Sequence, residues 1–269
     1  MRALITATAV GASLVVAVVS GQGVVPRAAD GKPDLTGVWQ GGSTQRGNWE
    51  EANGGTGVGG TGRNPTAPVV LSSNDRPAGR EGAPYQDWAA KKVLEAYNRR
   101  GIDDPAGQCL PGGVPRSVML GLFPQQFVQT PKQIVILYEY MHTFRVVPID
   151  AKHPDDIVPS YMGNSVAHWD RDTLVVDAIG FNDKTWLSGT GTFHSDALHI
   201  TERYTRVDKD RIDYEATMED PKVLTKPWKL TSSLMLREGT RLEEYICAEN
   251  NLDPARYEQL LKAGVKITR

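Results

Sequence analysis

Apolar and polar residues alternate over short stretches through the C-terminal half of the chain. Alternation with a period of two predicts half-buried β-strands, and turn residues separate one stretch from the next. The predicted strands have the sequences QQFVQ, QIVILYEY, HTFRVVPI, NSVAHWD, TLVVDAIGF, ALHITERYTRV, RIDYEATME, WKLTSSLML and RLEEYICAE. Because most of them are joined by hairpin turns, the pattern predicts a mainly β protein, an antiparallel meander that closes into an up-and-down barrel.

The part of the chain before these strands follows a different pattern. Residues 41–73 are rich in Gly, Thr, Asn and Pro, a composition that predicts a long surface loop. Residues 85–100 carry apolar side chains at helical spacing and predict one short helix. The proline- and glycine-rich sequence DDPAGQCLPGGVPR then predicts irregular structure. We therefore expect an irregular loop and helix insertion over residues 41–123, after a first strand.

That first strand is predicted where Pro33-Asp34-Leu35 leads into Gly37-Val38-Trp39. The G-x-W opening resembles the start of lipocalin-like and other calycin barrels. This resemblance implies a cup of about eight to ten strands around a small, often apolar ligand. The later blocks WDRDTLVVDAIGFNDKTWL, HSDALHITERYTR, EDPKVLTKPW and EEYICAEN resemble a large, essentially uncharacterised family of secreted bacterial proteins. That second resemblance implies export and no particular activity.

The N-terminus has the three parts of a secretory signal peptide. A basic residue, Arg2, precedes an apolar run from Ala3 to Ser20 and a group of small residues. We predict a signal peptide over residues 1–29, a single β-barrel domain over 30–269, and a periplasmic or secreted protein. The alternative is a retained membrane anchor, for which the strongly apolar run is shorter than the roughly 20 residues of a span. No other segment is comparably apolar, so no membrane contact is predicted once the signal is removed.

Charge and motifs limit the partners and the chemistry. The formal net charge is −2, and no block of Lys and Arg is present, which argues against nucleic acid and anionic membranes. A small molecule or another protein is the expected partner. The chain has no GxSxG, GxGxxG or P-loop motif, so a Ser–His–Asp hydrolase and a nucleotide cofactor are disfavoured.

Cys109 and Cys247 are the two cysteines of the chain. An even number of cysteines in an oxidising compartment predicts a disulfide. Two buried free thiols are the alternative. A metal site built on these residues lacks CxxC or CxxH spacing.

Strand alternation also selects candidate functional residues, because an ionisable group on an apolar face is costly unless it is paired. By alternation, His142 lies on the same strand face as Phe144 and Val146. We take it as the leading acid/base candidate. Glu202 would orient it or act as the second acid/base group, and Tyr214 would donate a hydroxyl. The alternative is a set of buried pairs that serve only to specify the core.

Residues from His194 to Glu202 hold two of the five histidines. His194 and His199 are further catalytic candidates. Residues three or five apart on a regular strand point to opposite faces, however, so His194, His199 and Glu202 would not converge. Convergence would need a distorted segment, so we predict no cofactor. A metal bound through His194, His199, Glu202 or His142 remains the alternative.

Three further residues are ligand-binding candidates. Arg145 would reach an acidic ligand group from a strand end, Glu244 shares an apolar face in RLEEYI, and Trp169 would stack at the barrel mouth. The alternatives are a surface arginine and a tryptophan that plugs the barrel. We expect an exported barrel that binds a small, partly apolar organic molecule, with acid/base catalysis of the hydratase, lyase, isomerase or cyclase type. A non-catalytic carrier and a metal-dependent enzyme that uses the His194–Glu202 segment are the alternatives.

Overall fold

The computed structural model describes residues 24–41, 83–99, 103–249, 251 and 253–264. Most of the predicted signal peptide lies outside the described residues, as does the predicted glycine-rich loop from residue 42 onward. Within the described part, no helix is both long and apolar enough to cross a membrane.

The described chain forms one antiparallel sheet of nine strands that curls into a nearly closed barrel. The strands are β1 (Gly37–Gly41), β2 (Gln125–Gln129), β3 (Gln133–Tyr138), β4 (Phe144–Pro148), β5 (Asn164–Asp170), β6 (Thr173–Ile179), β7 (His199–Arg206), β8 (Arg211–Glu219) and β9 (Trp228–Leu236). Their spatial order is β4-β3-β2-β1-β9-β8-β7-β6-β5. The predicted mainly β barrel is therefore confirmed, and β1 joins its two halves by pairing with both β2 and β9.

The two strands at the ends of this order approach each other and almost complete the barrel. Just past β4, Ile149 forms a parallel bridge with Ala167 of β5. The amide of Asp150 donates a 2.7 Å hydrogen bond to the Ala167 carbonyl. This contact covers part of both edge strands, which would otherwise expose unpaired backbone groups.

In the described part of the chain, three short α-helices accompany the barrel: α1 (Asp87–Asn98), α2 (Arg116–Met119) and α3 (Asp253–Lys262). Helix α1 confirms the helix predicted over 85–100, and it buries Ala89, Val93 and Tyr97. It packs closely on the loop between β6 and β7. A Cβ atom added to Gly191 of that loop would lie 2.7 Å from the Tyr97 nitrogen, so only glycine fits there.

Two strands present the inward faces that alternation predicts. On β8 the predicted set is fully buried, namely Ile212, Tyr214, Ala216 and Met218. On β7 and just before it, the predicted inward set of Leu198, Ile200, Glu202 and Tyr204 is also buried. Glu202 therefore enters the core on an apolar face, as its position in the pattern indicates.

Strand β4 faces the opposite way from the prediction. The side chains of Phe144 and Val146 are 62% and 45% exposed, whereas Arg145 and Val147 are buried. The preceding turn, Tyr140–His142, contains left-handed residues at Met141 and His142. This turn, rather than the apolar pattern, sets which side chains of β4 face inward. Arg145 then has a carboxylate partner, Glu202, inside the barrel.

The last predicted strand, RLEEYICAE, forms turns and irregular structure rather than a strand. Its backbone N–H groups bond to side chains of the Tyr140–His142 region instead of to a neighbouring strand. The Glu243 amide donates to the Glu139 carboxylate and the Tyr245 amide donates to His142, each at 2.8 Å. The predicted inward position of Glu244 is therefore wrong, because this residue is exposed.

Cys109 and Cys247 form the predicted disulfide. The bond joins the irregular segment before α2 to the segment after β9, across 138 residues of sequence. Next to it, the Tyr245 ring packs on Phe123 and Tyr140, with ring centroids 4.7 Å and 6.0 Å away. This satellite core fixes the segment after β9 to one end of the barrel.

Candidate functional site in the barrel interior

An ion pair between Arg145 of β4 and Glu202 of β7 lies inside the barrel. The Arg145 Nη2 atom is 2.5 Å from Glu202 Oε2, and the two side chains are 2% and 0% exposed. Removing both charges from water carries a large desolvation cost, which is offset only by good geometry and further hydrogen bonds. The surroundings of the pair therefore decide whether it is tolerated.

Three hydroxyl groups form further hydrogen bonds with the ion pair. The hydroxyls of Tyr204 and Tyr214 donate to Glu202 Oε1 at 2.7 Å and 2.9 Å. On the other side, Ser165 Oγ accepts from Arg145 Nη2 at 2.7 Å. Tyr204 and Tyr214 can act together because they are direct partners in the β7–β8 register. We call Arg145, Glu202, Tyr204, Tyr214 and Ser165 the polar centre.

The surroundings of the polar centre keep its two tyrosines and its arginine in fixed protonation states. Burial, together with the Glu202 charge, raises the pKa of Tyr204 and of Tyr214 well above the usual value. Burial alone would lower the pKa of Arg145, but the Glu202 carboxylate raises it well above its usual value. The tyrosines therefore remain hydroxyl donors and the arginine remains a cation.

Next to the polar centre, three buried polar atoms have no hydrogen-bond partner among the described residues. They are Arg145 Nη1, Tyr138 Oη and Gln125 Oε1. Gln125 and Tyr138 are direct partners across β2 and β3. Burial raises the pKa of Tyr138 to about 12, although the neighbouring Arg145 opposes this shift. Each buried unsatisfied group costs about 1–3 kcal/mol, so a hydrogen-bond partner for these atoms would stabilise the folded protein.

A second buried ion pair lies where α2 meets the barrel. Arg116 binds both carboxylate oxygens of Asp104 at 2.7 Å, and Asp104 also accepts from the Ala106 amide at 3.0 Å. The Gln125 side-chain amide donates to the Val118 carbonyl at 2.8 Å and so links this region to the interior. In the described part of the chain, Arg116 Nε, Ser117 Oγ and Tyr140 Oη also lack hydrogen-bond partners.

Apolar side chains surround the polar atoms of the interior. Trp39, Phe127, Ile134, Ile136 and Leu234 are all fully buried. The Phe127 ring meets Tyr204 edge-on, with 5.5 Å between ring centroids. A ligand in this interior would therefore contact mostly apolar surface and a few polar groups, which is the usual composition of a small-molecule site.

The leading catalytic candidate, His142, is not in the interior. It is exposed, adopts a left-handed conformation with φ of 48°, and accepts the Tyr245 amide at Nε2. The predicted grouping with Phe144 and Val146 on an inward face is wrong, since those side chains point outward. The hydrogen bond instead uses His142 to attach the segment after β9.

His194 and His199 lie in different surroundings. His194 is buried in the loop between β6 and β7, where Nδ1 donates to the Ser195 carbonyl at 2.9 Å. Its Nε2 then accepts from the Thr185 hydroxyl at 2.7 Å, and burial lowers the pKa of His194 below its usual value. His199 lies on the outer face of the barrel beside Asp177.

The structure therefore does not bring together the four residues of the predicted metal alternative, His142, His194, His199 and Glu202. Their hydrogen-bond partners are all different. Across the described ranges, no group of three or more His, Cys, Asp or Glu side chains is placed so that it could hold a metal ion.

The three predicted ligand-binding residues lie in three different parts of the molecule. Arg145 lies in the polar centre, whereas the prediction placed it on an outward face at a strand end. Trp169 is partly buried at the edge of the core, with Lys32 Nζ 5.8 Å from its ring centroid. Glu244 is exposed outside the barrel.

Sequence reasoning missed Ser165, Tyr138 and Gln125. A signal for Tyr138 and Gln125 was present, because each shares a strand face with apolar residues in QIVILY and QQFVQ. Polar residues at such positions point into the barrel as surely as their apolar neighbours do. Ser165 carries no comparable signal, since small hydroxyl residues occur on either face.

The carboxylate in the interior is already engaged in hydrogen bonds. Both oxygens of Glu202 already accept hydrogen bonds from Arg145, Tyr204 and Tyr214. A general base needs an oxygen that can reach the proton it removes.

Comparison with protein-family models, curated proteins and solved structures finds no match to this chain.

Proposed function

We propose that the protein is an exported binding protein whose barrel holds a small, partly apolar organic molecule. The observation that supports this proposal is the pair of buried donors without a partner among the described residues, Arg145 Nη1 and Tyr138 Oη. The two side chains are neighbours in the interior, and both lie among buried apolar side chains. An oxygen of the bound molecule would satisfy them in the folded protein.

The charge of the polar centre favours a neutral acceptor. Arg145 is already paired with Glu202, so the two charges cancel. A second carboxylate at this position would leave a net negative charge in a buried region, which is costly. We therefore propose a ketone, aldehyde, ester or amide carbonyl as the group that Arg145 and Tyr138 recognise.

Binding without catalysis is the form of this function that the geometry favours. The acid/base candidates of the interior, Glu202 and Tyr214, are held by each other and by Arg145. His142, the expected proton carrier, lies outside the barrel. An acid/base enzyme would need a titrating group that faces the ligand.

Export is part of the proposal. The basic and apolar N-terminus supports it, and so does the disulfide between Cys109 and Cys247, because disulfides persist in oxidising compartments. We propose the periplasm or the extracellular medium as the location, and a small molecule rather than nucleic acid as the partner.

Native mass spectrometry of protein purified from the periplasm tests the proposal. We expect a bound organic molecule on the wild type and on the control Tyr161→Phe, which changes a partly exposed tyrosine outside the strands. Tyr138→Phe should lose about tenfold or more of the bound molecule, because it removes one of its two donors. An empty wild type, or full retention by Tyr138→Phe, would contradict the proposed site.

A further inference from the structure

Two histidines and two carboxylates meet on the outer face of the barrel. His199 begins β7, Glu219 ends β8, and the two are direct partners in the sheet. Asp177 lies on the same face of β6, and His153 reaches it from the loop between β4 and β5. We call His153, Asp177, His199 and Glu219 the outer cluster.

The Asp177 carboxylate lies between the two imidazole rings. His199 Nε2 bonds to Asp177 Oδ1, and His153 Nε2 is 3.3 Å from Asp177 Oδ2. The other nitrogen of each ring also faces an oxygen. His153 Nδ1 is 2.6 Å from Asn164 Oδ1, and His199 Nδ1 is 3.5 Å from Glu219 Oε2.

The Nε2 atoms of His153 and His199 therefore converge on the two oxygens of one carboxylate. A single ion between the two rings and Asp177 would contact all three side chains.

We infer that the outer cluster is a binding site for a divalent transition-metal ion of the Zn²⁺ type. With neutral rings, the two carboxylates give the cluster a charge of −2, which a divalent cation would neutralise. Imidazole and carboxylate ligands together suit Zn²⁺ and similar ions. The ligands are His153 Nε2, His199 Nε2 and Asp177.

The groups around these ligands resemble the outer sphere of known metal sites. A histidine that binds a metal usually donates its other N–H to a carbonyl or carboxylate, which fixes the ring. Asn164 holds His153 in this way, and Glu219 faces His199. The side chains of His199 and Asp177 are 39% and 41% exposed, so water could occupy the remaining coordination positions.

In the structure the cluster is closed by its own hydrogen bonds, which explains why no ion position is already formed. Binding would need small rotations of partly exposed side chains. The site is on the opposite face of the sheet from Arg145 and Glu202, and the inference does not depend on the proposed interior ligand.

Calorimetric titration of the chelator-treated whole chain with ZnCl₂ tests the inference. We expect saturable binding of one ion per chain, weakened about tenfold or more by Asp177→Asn and by His199→Ala. The control is His168→Ala, an exposed histidine of β5 that is not one of the proposed ligands, which should bind like the wild type. Thermal unfolding checks that each variant is folded.

A measurement on the wild type covers the case in which a variant does not fold. In ¹⁵N NMR spectra, Zn²⁺ should move the Nε2 signals of His153 and His199 and leave those of His168 in place. The inference is wrong if the wild type shows no saturable binding, or if His168→Ala weakens binding as much as His199→Ala. It is also wrong if the Nε2 signals of both cluster rings stay in place in excess Zn²⁺.

Discussion

At the scale of single residues, the buried pair of Arg145 and Glu202 dominates the energetics of the interior. Each charge is tolerated because the other is present, and because Ser165, Tyr204 and Tyr214 bond to the pair. Such a pair contributes little net stability compared with apolar residues of the same volume. Breaking it is costly, since one buried charge then has no counterion.

The first prediction concerns this asymmetry. Arg145→Met should lower the free energy of unfolding by about 3–5 kcal/mol, because it leaves the Glu202 carboxylate buried and uncompensated. The double variant Arg145→Met with Glu202→Leu should recover most of that loss. Urea unfolding followed by circular dichroism measures both values. A double variant as unstable as Arg145→Met alone would show that packing around Arg145, rather than charge, is decisive.

A second residue-scale prediction concerns His194. Because burial lowers its pKa from 6.5, the unfolded chain binds a proton below about pH 6.5 that the folded chain does not bind. Stability is therefore fully present above pH 6.5 and falls as the pH drops toward the folded pKa. The slope from this one group is at most about 1.4 kcal/mol per pH unit.

Urea unfolding at pH values from 7.5 to 5.5 isolates the contribution of His194. His194→Gln keeps an acceptor for the Thr185 hydroxyl and removes the titrating group, so its stability should fall less steeply than that of the wild type. His168→Gln, at an exposed histidine, should follow the wild type. If both variants follow the wild type, His194 does not control acid stability.

At the scale of elements, alternation predicted most strands well and failed where local geometry overrides it. Strands β5, β8 and β9 begin and end as predicted, and the inward faces of β7 and β8 are correct. The face of β4 was wrong because two left-handed residues in the preceding turn set its direction. Such conformations leave little trace in the sequence when the residues are Met141 and His142 rather than glycine.

The segment after β9 illustrates a second limit. RLEEYICAE has a strand-like composition, but the backbone groups of Glu243 and Tyr245 bond to side chains of another element. The partners, Glu139 and His142, lie about a hundred residues earlier in the chain, with separations of 104 and 103. Alternation reports which face of a strand is buried, and it does not report whether a neighbouring strand is available for pairing.

The residues of the candidate site also include some whose positions the sequence predicts and one whose position it does not. Glu202 and Tyr214 were correctly placed in the interior because each lies on a regular strand with apolar neighbours. Their partner Arg145 was placed on the wrong face, so the ion pair itself was not predicted. Pairing between distant residues depends on the curvature of the closed sheet, which no local pattern contains.

At the scale of the whole molecule, the disulfide spans almost the entire barrel. Strands β2 to β9 all lie between Cys109 and Cys247, which are separated by 138 residues. Closing a loop of this length restricts the unfolded chain far more than the folded one. In the chain-entropy description, such a link contributes about 4–5 kcal/mol to the free energy of unfolding.

A prediction at this scale follows from the position of this bond. The double variant Cys109→Ala with Cys247→Ala should keep the far-ultraviolet circular dichroism of the wild type, because the Tyr245 ring still packs on Phe123 and Tyr140. Its free energy of unfolding by urea should nevertheless be lower by about 4–5 kcal/mol. A change in the spectrum would mean that the bond maintains the folded barrel directly. A loss below about 1 kcal/mol would mean that the unfolded chain is already compact enough for the link to restrict it little.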